Sequence, residues 1–336
     1  MKRGILFALV LLLCGGIACA PRKTRYSETR YDLFDTVTVL TGYAESEAAF
    51  SETANRVFEE LAAYHALFDI YHDAERNNLK TVNDCAGGDP VPVDPAIIDL
   101  LLLGREVDAL TGHRVNITLG AVLALWHDAR TEALEHPESA ASPSGDALRD
   151  AARHTGFDLL LIDEAAGTVR LTDPRARLDV GAIAKGYAAQ RVSENLPDGY
   201  LLSVGGNVVA KGTKPDGALW SVGIQDPDDA AALLLTVTAS DLAIVTSGDY
   251  QRVFTADGVR YHHIIDPETN YPAVRWRSVT VLCADSAAAD ALSTALFLME
   301  REDGEALLKQ FGADALWVAP GGERFMTEGF RERIKG

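Results

Sequence analysis

Strand signals alternate quickly through the second half of this chain. Leu159–Asp163 and Thr168–Leu171 read as a hairpin, and Tyr200–Val204 as a strand closed by Gly205-Gly206-Asn207. Further β-branched, alternating runs follow at Leu219–Ile224, Leu233–Thr238, Ala243–Thr246, Tyr250–Phe254, Val279–Ala284, Ala315–Val318 and Arg324–Met326. Asp35–Thr41 is a similar run near the start. Helical periodicity marks Ala44–Asp69, Pro95–Leu110, Asn116–Arg130 after Gly120, Val180–Asn195 and Ser286–Met299. Polar Ile70–Cys85 reads as a loop. Runs of neighbouring strands mixed with helices predict an α+β fold, not a doubly wound parallel sheet. The expectation is a single compact domain with a largely antiparallel central sheet flanked by helices.

The first residues stand apart. Lys2 and Arg3 precede the apolar run Ile5–Leu13, which is too short to span a bilayer, and small residues then lead to Cys19. This pattern predicts a signal peptide over 1–18 and lipidation of Cys19. Residues 19–30 would form the lipidated N-terminus and a polar tether, and 31–336 one folded domain. No repeat or Pro/Gly-rich linker divides that length, and Glu135–Asp146 reads as a surface loop. With Cys14 and Cys19 in the export signal, Cys85 and Cys283 remain, so a disulfide framework is excluded. A single bridge between them is open, although Cys283 sits in an apolar strand and reads as a core residue.

The net charge of −18 and the lack of a basic stripe exclude a nucleic-acid partner. An acidic protein that binds a polyphosphate must overcome its own field, and a divalent cation does this locally.

Three segments carry chemistry. LDVGAIAKGYAA, at Leu178–Ala189, opens a helix with small residues and places Lys185 in its first turns. It fails as a Walker loop, because the lysine precedes the second glycine and no hydroxyl follows. A phosphate at a helix N-terminus near Asp179 is one reading; a capped helix packed by its small face is the other. In ADALSTALF, at Ala289–Phe297, Asp290 and Thr294 share a helical face. They suit half of a Mg²⁺ site, or a dipole-favouring aspartate with a back-bonded threonine. YHHIIDPETNYPA, at Tyr261–Ala273, offers His262 and His263, of which at most one points into a given site. Either a general base or a turn-bonding histidine fits. Ser203–Asn207 and Thr246–Tyr250 end strands in glycines and polar groups, as ligand-approaching backbones or as plain turns. No zinc spacing and no G-x-S-x-G elbow are present.

LDVGAIAKGYAA, LLSVGGNV, WSVGIQDP, TSGDYQR, YHHIIDPET and SVTV…ADALSTALF occur in the order found in ApbE-type proteins, the FAD:protein FMN transferases. FDTVTVL, FDIYHDAERNNLKTVN and NITLGAVLALWHDAR extend the likeness, which runs from about Tyr31 to about Phe330. The chain thus resembles that family. The resemblance implies Mg²⁺-dependent transfer of FMN from FAD to a threonine or serine hydroxyl of an acceptor, releasing AMP. Acceptors would be flavin-carrying subunits of membrane redox complexes or reductases. They would be met at the outer face of the cytoplasmic membrane, where the lipid anchor holds the protein. By position, the metal ligands are the Ala182 carbonyl, Asp290 and Thr294, and the catalytic base is His263. Phe34, Tyr71, Thr118, Leu119, Gly120, Asp179, Lys185, Ile264 and Ile265 match FAD-contacting positions. Phe34-Asp35 replaces the family's Met-Gly, and Asn270 replaces the glycine of D-P-x-T-G while tolerating left-handed geometry. Two rival outcomes are FAD pyrophosphatase activity, giving FMN and AMP, and a non-catalytic surface FAD-binding lipoprotein.

Overall fold

The computed structural model describes residues 23–336. Its centre is an eight-stranded sheet whose spatial order is also its chain order. The strands are Thr24–Leu33, Thr36–Ala44, Tyr200–Val204, Asn207–Lys211, Leu242–Gly248, Ser278–Cys283, Asp314–Val318 and Arg324–Met326. Every neighbouring pair is antiparallel. The sheet is a meander, and the remaining elements are insertions between its turns.

Alternation along the strands explains the layers. Ala243, Val245, Val279, Val281, Ala315 and Trp317 face the main core, while Leu242, Ile244, Leu282, Leu316 and Val318 face a second one. Helices Glu47–Phe68, Ala184–Glu194 and Ser286–Leu298 pack on the first face. The hairpin of Trp220–Gln225 and Leu233–Ala239 covers the second. Because both faces are covered, all six residues of Ser278–Cys283 are buried, so the strand reads as a near-continuous apolar run. A third cluster joins helix Gly120–Glu135, helix Gly145–Ala151 and the Phe254–Tyr261 hairpin, with Trp126 and Phe254 at its centre.

The expected α+β fold with an antiparallel sheet is therefore correct, and several local expectations need correction. The predicted tether over 19–30 is strand from Thr24 onward: Thr24 to Arg30 pairs with Thr38 to Ala44. Its sequence alternates only weakly because most of its side chains are exposed at the sheet edge. The Ile70–Cys85 loop contains helix Leu79–Asp84, which Asn78 starts through a capping box with Thr81. The helix expected from Val180 begins at Ala184, with Ile183 as its cap and no capping side chain. Residues 249–253 form a loop where a strand was expected, and the strand itself starts at Phe254. The Gly205-Gly206 turn, with both residues at positive φ, opens a further strand, Asn207–Lys211. Helix Arg301–Phe311, ended by left-handed Gly312, was not anticipated.

Cys85 and Cys283 are both free thiols. No helix among the described residues is long and apolar enough to cross a membrane. The expected signal peptide and the lipidation site at Cys19 lie outside the described residues.

Candidate active site

Helices Ala184–Glu194 and Ser286–Leu298 cross at Gly186. A Cβ on Gly186 would collide with Asp290 Cβ and the Ser286 carbonyl, so the glycine is what lets the backbones approach. The Gly186 N–H donates to Asp290 Oδ2 at 2.7 Å, and Ser286 N–H donates to Gln190 Oε1 at 2.8 Å. Asp290 is 4% exposed. Burial pushes its carboxyl above the usual range, opposed by the Lys185 ammonium, the Gly186 N–H and the Asn207 amide. Its Oδ2 accepts the Gly186 N–H, and Thr294 follows one turn later on the same helix and lines the same cleft.

These groups line a cleft of about 540 Å³, together with Ala182, Lys185, Asn207, Ser247 and His263. Thr294 Oγ1 lies 3.4 Å from Ser247 Oγ, itself 2.8 Å from Ser293 Oγ. Lys185 Nζ donates to the Gly181 carbonyl at 3.3 Å. The donors at this end are a carboxylate, hydroxyls and a carbonyl, the hard oxygen set that suits Mg²⁺. A buried carboxylate with a raised affinity for protons gains from such a cation. Asn207 is buried with its amide turned toward the Asp290 carboxyl, although its Nδ2 forms no well-aligned hydrogen bond.

The two histidines play different parts. His262 is buried, donates from Nε2 to the Ala273 carbonyl at 2.7 Å and accepts the Ile264 N–H on Nδ1 at 3.2 Å. Burial lowers its affinity for a proton. It is a structural clasp, with both ring nitrogens used. His263 instead bonds the Gln251 carbonyl through Nδ1 at 3.2 Å, which fixes the proton there and leaves the Nε2 lone pair unused. Its ring is reached through the mouth of the cleft. Desolvation by the surrounding protein, then Arg252, Lys185 and His262, hold it down to about 3, so it is neutral at ordinary pH. A neutral imidazole with one free lone pair can accept a proton.

At the other wall, Asp179 N–H donates to the Ile117 carbonyl at 2.9 Å, and Asp179 Oδ1 accepts the Gly181 N–H at 2.9 Å. Burial raises its carboxyl against the pull of Gly181, Arg252, His127 and Lys185. Tyr71 stacks on His127 with ring centroids 4.5 Å apart and lies at 3.3 Å from its Nδ1 through the hydroxyl. Burial pushes the Tyr71 phenol up. Trp126 and Phe254 add an aromatic wall, and Trp126 Nε1 donates to the Asn270 carbonyl at 2.9 Å. Asn270 has φ 62, the left-handed geometry anticipated for it.

Ten of the expected contact residues thus line one cleft: Tyr71, Leu119, Asp179, Ala182, Lys185, His263, Ile264, Ile265, Asp290 and Thr294. Three do not. Phe34 packs against the core, edge-on to His65, and its N–H donates to His65 Nδ1. Phe34 and Asp35 form a two-residue hairpin turn with φ 53 and 50, and it is Asp35 that reaches the cleft. Thr118 is buried; its hydroxyl bonds Asn116 and receives the Gly156 N–H, so it serves the loop. Gly120 packs against the carbonyl of Arg177 and borders a neighbouring groove that shares Tyr71, His127 and Asp179 with the cleft.

Sequence reasoning missed Arg114, Arg130, Arg252, Trp126 and His127 as lining residues. Trp126, His127 and Arg130 follow Leu123 at spacings of three, four and seven, a stripe that was legible as one face of helix Gly120–Glu135.

The known proteins similar to this chain share one family. A profile of the ApbE family matches residues 33–317. A FAD:protein FMN transferase from Treponema pallidum is 34% identical over 349 aligned positions, covering 97% of this chain and 94% of that protein. One from Klebsiella pneumoniae is 32% identical and covers 82% of this chain and 84% of its own. Among solved structures, the ApbE protein of Thermotoga maritima matches with a TM-score of 0.81 at 30% identity, over 93% of this chain and 100% of the other. The flavin transferase ApbE of Vibrio cholerae matches with a TM-score of 0.77 at 25% identity, over 93% and 99%.

Proposed function

The chain belongs to the ApbE family, and from that premise we propose that it transfers FMN from FAD to a threonine or serine hydroxyl of an acceptor protein, releasing AMP. The observation that carries this reading is the convergence in one cleft of a lysine, a hard-oxygen donor set and a neutral histidine with a free lone pair. Asp290, Thr294 Oγ1 and the Ala182 carbonyl are the groups that would hold Mg²⁺, whose charge when bound offsets that of the pyrophosphate.

The chain's own residues account for the remainder. Lys185 and the Asn207 amide bind phosphate oxygens, while Asp179, Tyr71 and the aromatic wall hold the rest of FAD. His263 Nε2 takes the proton of the acceptor hydroxyl as its oxygen attacks the FMN-side phosphorus. The new phosphoester bond forms as the bridging P–O bond breaks, and AMP departs with that electron pair. The Gln251 carbonyl keeps the imidazole in the required tautomer. Lipidation at Cys19 would set the enzyme on the outer face of the cytoplasmic membrane, where flavin-carrying subunits of redox complexes are within reach.

The test combines purified protein, FAD, Mg²⁺ and a candidate acceptor, read by mass spectrometry. Covalent FMN on the acceptor with one AMP released is the expected result. AMP and free FMN without a labelled acceptor would replace transfer by hydrolysis, and neither product would leave a binding protein. His263→Ala should lower transfer by about 10² or more, the usual range for general-base help. His262→Ala should act through stability, lowering Tm before kcat. Equal catalytic losses in two variants of unchanged stability would remove the base from His263.

A further inference from the structure

Four basic side chains reach the cleft of this acidic protein: Arg114, Arg130, Lys185 and Arg252. Their company differs. Arg114 lies 2.8 Å from Glu268 and 3.6 Å from Asp266, and Lys185 rests on a carbonyl. Neither Arg130 nor Arg252 has a carboxylate within 4 Å among the described residues, but Arg252 alone follows a residue that bonds His263, and the nearby Arg277 and Arg260 share Asp249. The Arg252 guanidinium therefore lines the cleft without a protein anion among the described residues.

The backbone places it deliberately. Arg252 has φ 46, a left-handed conformation that costs an arginine free energy and persists where the surroundings enforce it. The preceding Gln251 gives its carbonyl to His263 Nδ1, so one turn sets the tautomer of the histidine and presents the guanidinium. Asp249, two residues earlier, anchors that turn: its Oδ2 pairs with Arg277 Nε at 2.8 Å, and its N–H donates to the Arg277 carbonyl at 2.9 Å. Three groups on three segments feel the positive charge. It lowers Asp179 and Tyr71 and adds to the forces holding His263 neutral. Arg252 lines the same cleft as Asp179, Tyr71 and His263.

We propose that Arg252 is a catalytic residue of FMN transfer, its fork binding the non-bridging oxygens of the FMN-side phosphate while the bond to the departing AMP breaks. This rests on the transferase reading above. A planar fork matches two phosphate oxygens at once, and a cation with no competing carboxylate breaks no ion pair on taking them. Charge shifts toward the bridging and equatorial oxygens as the phosphoryl group is transferred, so the contact strengthens in the transition state.

Steady-state transfer to an acceptor by Arg252→Ala, Arg252→Gly and Arg252→Lys tests this, with FAD affinity measured separately by flavin fluorescence. Arg252→Gly relieves the left-handed backbone and so keeps the fold. The expected result is a fall in kcat of about 10² or more in the Ala and Gly variants, with FAD affinity changed by less than about tenfold. Arg252→Lys should recover part of the rate, and added guanidinium should rescue Arg252→Gly. Near-normal kcat in Arg252→Gly would overturn the proposal, as would a loss confined to KM. A wild-type enzyme that labels no acceptor would overturn the transferase reading beneath it.

Discussion

Asp290 is a carboxylate that the fold tolerates only with help. Above the ordinary carboxylate value the folded protein holds this proton while the unfolded chain has released it. Metal-free stability therefore falls as pH rises through the raised value and levels off beyond it. Asp179 titrates in the same sense. Mg²⁺ held by Asp290 would favour its ionised form, so the Mg²⁺-induced rise in Tm should grow as pH rises through the raised value. Asp290→Asn keeps an oxygen for the Gly186 N–H and removes the buried charge. It should raise the Tm of the metal-free protein at neutral pH and abolish the Mg²⁺ response, both readable by calorimetry without any turnover. A Tm response to Mg²⁺ preserved in Asp290→Asn would move the metal elsewhere. At this scale the sequence was legible where proximity follows from spacing, as for Asp290 and Thr294, one helical turn apart and lining one cleft. It was silent where a role depends on what folding leaves unpaired. Nothing in the letters QR distinguishes Arg252, free in the cleft, from Arg277, paired with Asp249.

At the scale of elements, the crossing of helices Ala184–Glu194 and Ser286–Leu298 at Gly186 sets the Asp290 end of the cleft. Gly186→Ala has to push the helices apart, at a cost of about 1–3 kcal/mol for overpacking a close contact. The same movement lengthens the Gly186–Asp290 hydrogen bond. A lower Tm and a smaller Mg²⁺-induced shift should therefore appear together in thermal melts. A lower Tm with the full shift would show that the crossing serves stability alone. The helices themselves were readable from periodicity, the one expected over Ser286–Met299 and found at Ser286–Leu298 among them. The helix start at Ala184 was not, because residues 180–183 carry helical letters but wrap into a turn whose bonds go to Asp179 and Val180. The Thr24–Leu33 strand escaped notice for a related reason. An edge strand buries little, so its side chains are under little pressure to alternate.

For the whole molecule, sheet order that follows chain order means that each insertion between strands lies near the turn it interrupts. Loops from distant parts of the sequence can thus meet at one cleft without crossovers. Opposite faces of the meander were legible as alternating residues, such as Leu242 to Val245, but the sequence gives no sign of which strand lies beside which. The early start of the first strand also has a mechanical consequence. A lipidated Cys19 would be joined to Thr24 by a leash of five residues, whose full extension is about 18 Å at roughly 3.6 Å per residue. The enzyme would then work within a thin layer above the lipid headgroups, and an acceptor hydroxyl held higher would lie out of range. Lengthening the leash with about twenty Gly/Ser residues after Lys23, which adds reach as the square root of length, should increase labelling of acceptors whose site stands far from the bilayer. For acceptors close to the bilayer the gain should vanish. Flavinylation in membrane vesicles carrying both kinds of acceptor would measure the height of that layer, and equal labelling with either leash would show that no such ceiling exists.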